Sequence, residues 1–286
     1  MKPSICTAYF APNDPETAIL ALQEAGFSHG EFDIDHSAAL LSRGDDPEKT
    51  GLEFRAFLEN IGFSIPQGHL HYKNDLTTRQ TVEALKKEIV MFQAIGIKHA
   101  VLHINGGLNL PEEERLEKQF VHLRELLEFV QGTDFTFCLE NLMTNPTITD
   151  ANKLLQWIHK LGGKNLGICL DTGHLHYAKQ GLHATEQTHK DFILTAGNYL
   201  KALHLHDNDG TGDQHLAPYA VRGNGVNWGE VVTALRQVGY TGLFNLEVPG
   251  VIDTYRPTPI LKCKLRCMKD MIDYMLSDEF IKEVCL

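Results

Sequence analysis

In ICLDTGHLHYA, residues 168–178, apolar Ile168, Cys169 and Leu170 lead directly into Asp171, His174 and His176. Carboxylates and imidazoles do general acid and base work near neutral pH, and they are also ligands for divalent metals. The same junction recurs along the chain. Short apolar runs end at Asp33 or Asp35, at His69 and His71, at His103, at Glu140, at His204 and His206, and at Glu247. After the seventh run, Asp213 and His215 form an Asp-x-His pair, which beside Asp171 and His174 reads as a further metal site. A lone His at a strand end is ordinarily a hydrogen-bonded structural residue. Several such ends that converge are different, because gathering their carboxylates without a cation is costly in repulsion and desolvation. A bound divalent ion removes that cost. With no cysteine expected among these ends, the donors are imidazole and carboxylate. That set suits Zn²⁺, Mn²⁺, Co²⁺ or Fe²⁺ better than Mg²⁺ or Ca²⁺, which prefer shells of oxygen alone. Arg222, followed by Gly223 and Gly225, offers a guanidinium and bare backbone N–H groups to an anion such as phosphate.

Convergence needs elements that bring the ends together. The runs SICTAYF, HGEFDID, FSIPQGH, KHAVLHI, FTFCLEN, LGICLDT, KALHLHD and GLFNLEV predict eight strands, each followed by a stretch of helical period. Val82, Leu85, Ile89 and Phe92 recur at i, i+3, i+7 and i+10. Leu116, Phe120, Leu123, Leu127 and Val130 keep one helical face, as do Leu261, Leu265, Met268, Ile272 and Met275. Asp14 before Pro15 and Glu16 reads as an N-cap, and Pro111 before three glutamates as another helix start. Gly26, Gly62, Gly96 and Gly162 close helices just ahead of the next strand. Nearly continuous apolar strands suit a parallel sheet buried on both faces, and eight such units in about 250 residues predict an α/β (β/α)8 TIM barrel. The expected organisation is a single domain over residues 1–286. A doubly wound open sheet would carry a Gly-rich nucleotide turn after its first strand, and AYFAPNDP has no glycine. In a barrel, catalytic groups lie at the carboxyl ends of the strands, which is where the junctions fall.

The 286 residues include 26 Lys and Arg against 37 Asp and Glu, a net charge of −11, with 43% hydrophobic content. That balance disfavours wholesale adhesion to nucleic acid or anionic membrane. MKPSICTAYFAPNDPE meets Pro12 and Asp14 before reaching signal-peptide length, and no later run is long enough to span a bilayer, so a cytoplasmic protein is expected. The six cysteines lack metal-finger spacing; Cys263 and Cys267 are expected to be reduced packing residues, and Cys169 to lie in the core.

LENLM at the fifth strand, LDTGH at the sixth, HLHDNDG at the seventh and LEV at the eighth resemble the xylose isomerase-like TIM-barrel superfamily. It unites sugar isomerases and epimerases with AP endonucleases of the endonuclease IV type, and the resemblance covers essentially the whole chain. The ketose 3-epimerase branch implies one Mn²⁺ or Co²⁺ held by Glu140, Asp171, His206 and Glu247, with His174 and an arginine such as Arg222 on the substrate. There the two glutamates flank the sugar carbon, one removing a proton and the other returning one. The endonuclease IV branch implies three zincs. The first would sit on His69, His103 and Glu140, the second on Glu140, Asp171, His204 and Glu247, and the third on His174, Asp213 and His215. All nine positions hold the required residue type, and Tyr72 stands where a DNA-wedging aromatic would. The loops are poorly equipped for DNA, however: SRGDDPEK is charge-balanced, YKNDLTTRQ is short and LMTNPTIT has no base, whereas phosphate tracking needs several.

The expected function is therefore a divalent-metal-dependent sugar or sugar-phosphate isomerase or epimerase, moving a proton beside a carbonyl through Glu140 and Glu247, with His174 assisting. The alternatives are an endonuclease IV-like zinc phosphodiesterase acting on abasic DNA, or a related metal-dependent lyase or dehydratase. The cofactor would be Zn²⁺, Mn²⁺ or Co²⁺, one to three ions, with His206 the ligand at a single-metal site and His204 in a cluster. His69, His103 and Arg222 are the candidates for contact with substrate. A purely binding barrel has no obvious use for both glutamates. The expected partner is a small sugar or sugar phosphate, with no membrane and no nucleic acid; a homo-oligomer is compatible with this.

Overall fold

Each apolar run becomes a short parallel strand. The structure, a computed structural model, describes residues 1–11, 13–71, 75–250 and 258–284. The strands are β1 (Lys2–Cys6), β2 (His29–Phe32), β3 (Ser64–His69), β4 (His99–Leu102), β5 (Thr136–Glu140), β6 (Leu166–Asp171), β7 (Leu200–His204) and β8 (Leu243–Leu246). They pair in the order β7-β6-β5-β4-β3-β2-β1-β8. Leu205 closes the ring, donating to Asn245 O at 2.9 Å and accepting from Glu247 N at 3.1 Å. This is the expected (β/α)8 barrel.

The helices are α1 (Pro15–Glu24), α2 (Ile34–Leu41), α3 (Pro47–Ile61), α4 (Arg79–Ile95), α5 (Glu112–Phe129) and α6 (Ala151–Leu161). They continue with α7 (Thr172–Gln180), α8 (His189–Ala196), α9 (Trp228–Gln237), α10 (Thr258–Met275) and α11 (Asp278–Val284). Asp14 caps α1 by accepting from Thr17 N at 3.0 Å, with Pro15 opening the first turn. Val82, Leu85, Ile89 and Phe92 are fully buried on the barrel-facing side of α4, which ends at Gly96 in the left-handed region at φ 100°. Among the described residues no helix is long and apolar enough to cross a membrane.

Two expectations need correction. HGEFDID stops being a strand at Phe32, because Asp33 turns to cap α2 and accepts from Asp35 N at 2.7 Å, which leaves Asp35 exposed. SRGDDPEK thus follows α2 and not β2. Cys263 and Cys267 are exposed, since Leu261, Leu265 and Met268 take the packed stripe of α10.

Strand side chains alternate in and out, so inward positions recur every second residue. Val101, Cys138, Cys169 and Ala202 form a buried apolar cluster of their own inside the ring. Ser4, Glu31, Gln67 and Asn245 are joined by hydrogen bonds on the other strands. Advancing two residues along each strand gives Cys6, Asp33, His69, His103, Glu140, Asp171, His204 and Glu247. These residues form the floor of the site.

Candidate metal centre

Glu140, at the end of β5 and 1% exposed, lies among four imidazoles. Its carboxylate is 2.8 Å from His103 Nε2, 3.1 Å from His174 Nδ1, 3.4 Å from His204 Nδ1 and 3.5 Å from His69 Nε2. Burial alone would push its carboxyl up, but His103 and His204 beside it hold it well below the usual range. Glu247, just past β8, faces His204 Nδ1 at 3.3 Å and His215 Nδ1 at 3.8 Å. Burial raises its carboxyl, with His204 and His215 opposing, so the two glutamates are pushed in opposite directions.

The DTGH motif is tied to its neighbours residue by residue. Asp171 Oδ1 accepts from His174 N at 2.6 Å, capping α7, while its other oxygen faces His206 Nε2 at 3.0 Å. Burial opposes the charge, but His174 and His206 draw its carboxyl down to about 2. Thr172 Oγ1 donates to His206 O at 2.8 Å and accepts from His206 N at 3.0 Å. Gly173 is required because a Cβ there would stand 1.9 Å from the His206 ring. Asn141, the residue after Glu140, clamps the Asp171 backbone with its side-chain amide, donating from Nδ2 to Asp171 O at 3.0 Å and accepting on Oδ1 from Asp171 N at 2.8 Å. Its carbonyl meets His174 Nδ1 at 3.0 Å.

HLHDND works in a similar way. Asp207 pairs with Leu216 and accepts from Val226 N, while Asn208 donates to Gly173 O at 2.7 Å. Together they fold the loop back so that Asp213 and His215 return to the site. His215 Nδ1 donates to Glu247 O at 2.9 Å, leaving Nε2 for Asp213 at 3.1 Å. His174 Nε2 lies 3.5 Å from the other Asp213 oxygen. His206 stacks on His215, ring centroids 4.0 Å apart.

Among the described residues four sets bring three donors within metal-binding reach of one another: three that share members, His69, Glu140 and His204; Glu140, Asp171 and His174; Asp171, His204 and Glu247; and a separate one, His206, Asp213 and His215. His204 is the histidine that joins Asp171 and Glu247, whereas His206 falls with Asp213 and His215. The fit to a cation rests on one atom. His204 Nδ1 is fully buried, makes no hydrogen bond and faces three carboxylates, Glu247 at 3.3 Å, Glu140 at 3.4 Å and Asp171 at 4.0 Å. A buried nitrogen without a partner is costly unless something electrophilic occupies the space before it. Nitrogen and oxygen donors of this kind suit Zn²⁺, Mn²⁺ or Co²⁺.

The centre opens into a cavity of about 270 Å³ lined by Cys6, Asp33, Ile34, His69, His103, Glu140, His174, Asp213, His215 and Glu247. Cys6 corrects the expectation of no cysteine at the rim, although burial and the carboxylates of Glu31, Asp33 and Glu247 push its thiol well up and keep it protonated. Asp33 lines the cavity and Asp35 does not. Arg222 is exposed and outside the lining, and Tyr72 lies outside the described residues. Glu31, bonded to His204, goes unnoticed when only the last residues of each strand are read, and counting inward positions by two would have found it.

A family model described as xylose isomerase-like TIM barrel matches residues 19–271. An uncharacterised protein of Methanocaldococcus jannaschii is 26% identical over 207 residues, 70% of this chain and 67% of its own length. A probable endonuclease 4 of Ureaplasma parvum serovar 3 is 27% identical over 148 residues, 47% of this chain and 48% of its own. The crystal structure of D-psicose 3-epimerase with D-tagatose from Clostridium cellulolyticum H10 superposes with a TM-score of 0.76 at 18% identity, covering 97% of this chain and 100% of that one, a likeness of fold. The family match takes in seven of the eight strands, β2 to β8, and every donor named above, and the chain belongs to the xylose isomerase-like TIM barrel family.

Proposed function

We propose that this barrel is a divalent-metal-dependent sugar isomerase or epimerase that moves a proton at the carbon beside a carbonyl. One observation carries the reading: Glu140 and Glu247 reach the same unpartnered His204 nitrogen, at 3.4 and 3.3 Å, on the floor of a small polar cavity. At about 270 Å³ the cavity is below the roughly 300–1,000 Å³ usual for ligand pockets, a scale that suits a monosaccharide. Glu140, Asp171, His204 and Glu247 would hold the divalent ion, which when bound would supply Lewis acidity to the substrate oxygens. The side chains do the rest. Glu140 is held as a carboxylate and serves as base, ending protonated, while Glu247, whose carboxyl is raised, is suited to deliver a proton of its own to the carbon, solvent exchange then resetting both. His174, with Asp213 behind its Nε2, steadies a substrate hydroxyl as negative charge develops. The fold-level likeness to a ketose 3-epimerase over nearly the whole of both chains supports this reading.

A zinc phosphodiesterase of the endonuclease IV type is the second reading, favoured by one observation. His69, His103, Asp213 and His215, which a single-metal epimerase does not need as ligands, all line the same cavity. The two readings separate in one experiment. Metal-loaded protein is incubated in D₂O with a panel of ketoses and aldoses, followed by NMR, and in parallel with an abasic-site oligonucleotide. Deuterium should enter the carbon beside the carbonyl of at least one sugar. Incision without any exchange, or sugar conversion by hydride shift with no solvent label, overturns the proposal.

A further inference from the structure

Glu31 has no place in the proton transfer described above, yet it is fully buried at the base of the site. Its Oε1 faces His204 Nε2 at 2.8 Å. Its Oε2 accepts from Gln67 Nε2 at 2.7 Å and from Asn245 Nδ2. Asn245 in turn accepts from Ser4 Oγ at 2.9 Å. The amides of Gln67 and Asn245 can only donate from nitrogen, so Oε2 is committed as an acceptor. A buried carboxylate that accepts on both oxygens needs the proton of the imidazole contact to sit on His204 Nε2. In neutral His204 the other nitrogen, Nδ1, is then bare, and Nδ1 is the atom that faces Glu140, Asp171 and Glu247 without a hydrogen bond.

We propose that Glu31 is a positioning residue: it locks His204 in the Nε2–H tautomer and the ring orientation that present a bare Nδ1 to a divalent ion. The inference rests on the metal-dependent reading of the site. Its logic is that of histidine ligands generally, whose remote N–H is fixed by a carboxylate that also raises the donor strength of the coordinating nitrogen. The isosteric change Glu31→Gln disrupts it in either amide orientation. If the new NH₂ faces His204, Nε2 must accept and the proton moves to Nδ1, which blocks coordination. If it faces Gln67 and Asn245, donors meet donors.

The test measures Zn²⁺ affinity by chelator competition for the wild type, Glu31→Gln and Ser4→Ala, with Co²⁺ absorption spectra as a report on ligand geometry. Ser4→Ala removes the far end of the same hydrogen-bond chain without touching His204. Glu31→Gln should lose on the order of 10- to 100-fold in Zn²⁺ affinity and alter the Co²⁺ spectrum, whereas Ser4→Ala should keep both. Equal losses in the two variants, or wild-type affinity in Glu31→Gln, overturn the inference while leaving the metal reading standing. Absence of Zn²⁺ binding by the wild type overturns both. Should Glu31→Gln fail to fold, NMR of ¹⁵N-histidine-labelled, zinc-loaded wild type decides: His204 must show a protonated Nε2 and a coordinated Nδ1, and the reverse assignment refutes the role of Glu31.

Discussion

Glu140→Gln is the most informative perturbation, because it removes one charge from the point where four imidazoles meet and changes almost no volume. The amide keeps an acceptor oxygen but no longer offers a basic oxygen to a substrate proton. Loss of a general acid or base costs about 10²- to 10⁴-fold in turnover, which at about 1.36 kcal/mol per tenfold is roughly 3–5 kcal/mol of barrier. Glu140 is 1% exposed and has His103, His174, His204 and His69 within 3.5 Å, so its charge also serves ion binding, and the loss should exceed that range below metal saturation. Glu247 is 23% exposed on its side chain and meets only two imidazoles, at 3.3 and 3.8 Å. Glu247→Gln should therefore retain more metal and report the proton-transfer component more cleanly. The assay pairs exchange of substrate C–H with solvent deuterium by NMR against metal content by elemental analysis, for both variants. If Glu140→Gln exchanges the proton at the wild-type rate with metal content unchanged, the paired-carboxylate mechanism is wrong.

Asp171→Asn keeps an acceptor to cap α7, since Asn and Asp cap about equally well, so the variant should fold yet lose metal; full occupancy by elemental analysis would remove Asp171 from the ligand set. In the metal-free protein Asp171, Asp213 and Glu140 outweigh burial and raise His174 well above its ordinary value, while Cys169, Glu247, Glu31 and Glu140 outweigh burial and raise His204. Protons on these rings compete with an incoming cation for the same nitrogens. Metal uptake should release protons and strengthen as pH rises, and a calorimetric binding enthalpy that does not vary with buffer ionisation would contradict this. His215, opposed by burial but raised to about 10 from 6.5 by Glu247 and Asp213, contributes stability to the metal-free fold that is full below 6.5 and lost as pH climbs toward 10. Thermal midpoints of chelator-treated protein should fall over that window. Gly173→Ala gains about 1 kcal/mol of helix propensity but drives a Cβ to 1.9 Å from the buried His206 ring, and overpacking of this kind costs about 1–3 kcal/mol, so a lower unfolding midpoint is expected; an unchanged or higher one refutes the packing argument. Duplex DNA with an abasic site should be neither incised nor bound tightly at physiological salt, given a net charge of −11, and incision well above a metal-free control would promote the phosphodiesterase reading.

The parts of the site legible in the sequence are those where one strand end carries one unambiguous donor. Asp171, His103, Glu140 and Glu247 follow apolar runs too short to be helices, and a parallel barrel sends every such end to the same rim. Asp213 and His215 are legible as a pair that belongs beside Asp171 and His174, but the means of their return, the Asp207 to Leu216 bridge and the Asn208 contact with Gly173, is not legible because neither contact follows from a strand or helix pattern. Glu31 was hidden by a different effect. The run HGEFDID places acidic residues at 31, 33 and 35, all of one parity, so a reading of the run's end picks Asp33 or Asp35, whereas the strand stops at Phe32 and its last inward residue is Glu31. Arg222 shows the opposite failure: its neighbours Gly223 and Gly225 suggest an anion cradle, but the loop turns the guanidinium to solvent.

The overlap among the donor sets bears on how many ions the centre takes. Among the described residues Glu140, Asp171 and His204 each belong to two of the four sets, so three of the sets are one connected network, and the fourth, His206, Asp213 and His215, shares no donor with them but abuts them where Asp213 faces His174 at 3.5 Å. An ion on Glu140, Asp171, His204 and Glu247 uses every shared residue at once. What remains is His69, His103, His174, Asp213 and His215, four imidazoles and a carboxylate around the same cavity. With one ion on Glu140, Asp171, His204 and Glu247, these imidazoles would not be needed as ligands and would line the cavity as polar groups facing the hydroxyls of a polyol. With three ions the same side chains would be taken up as ligands, and the ions would supply Lewis acidity to a phosphate. The choice between sugar chemistry and phosphodiester chemistry is thus a choice of stoichiometry made by the same nine side chains. Elemental analysis of protein purified without added metal separates the two: one equivalent per chain leaves the imidazoles to the substrate, and three equivalents would assign them to the ions.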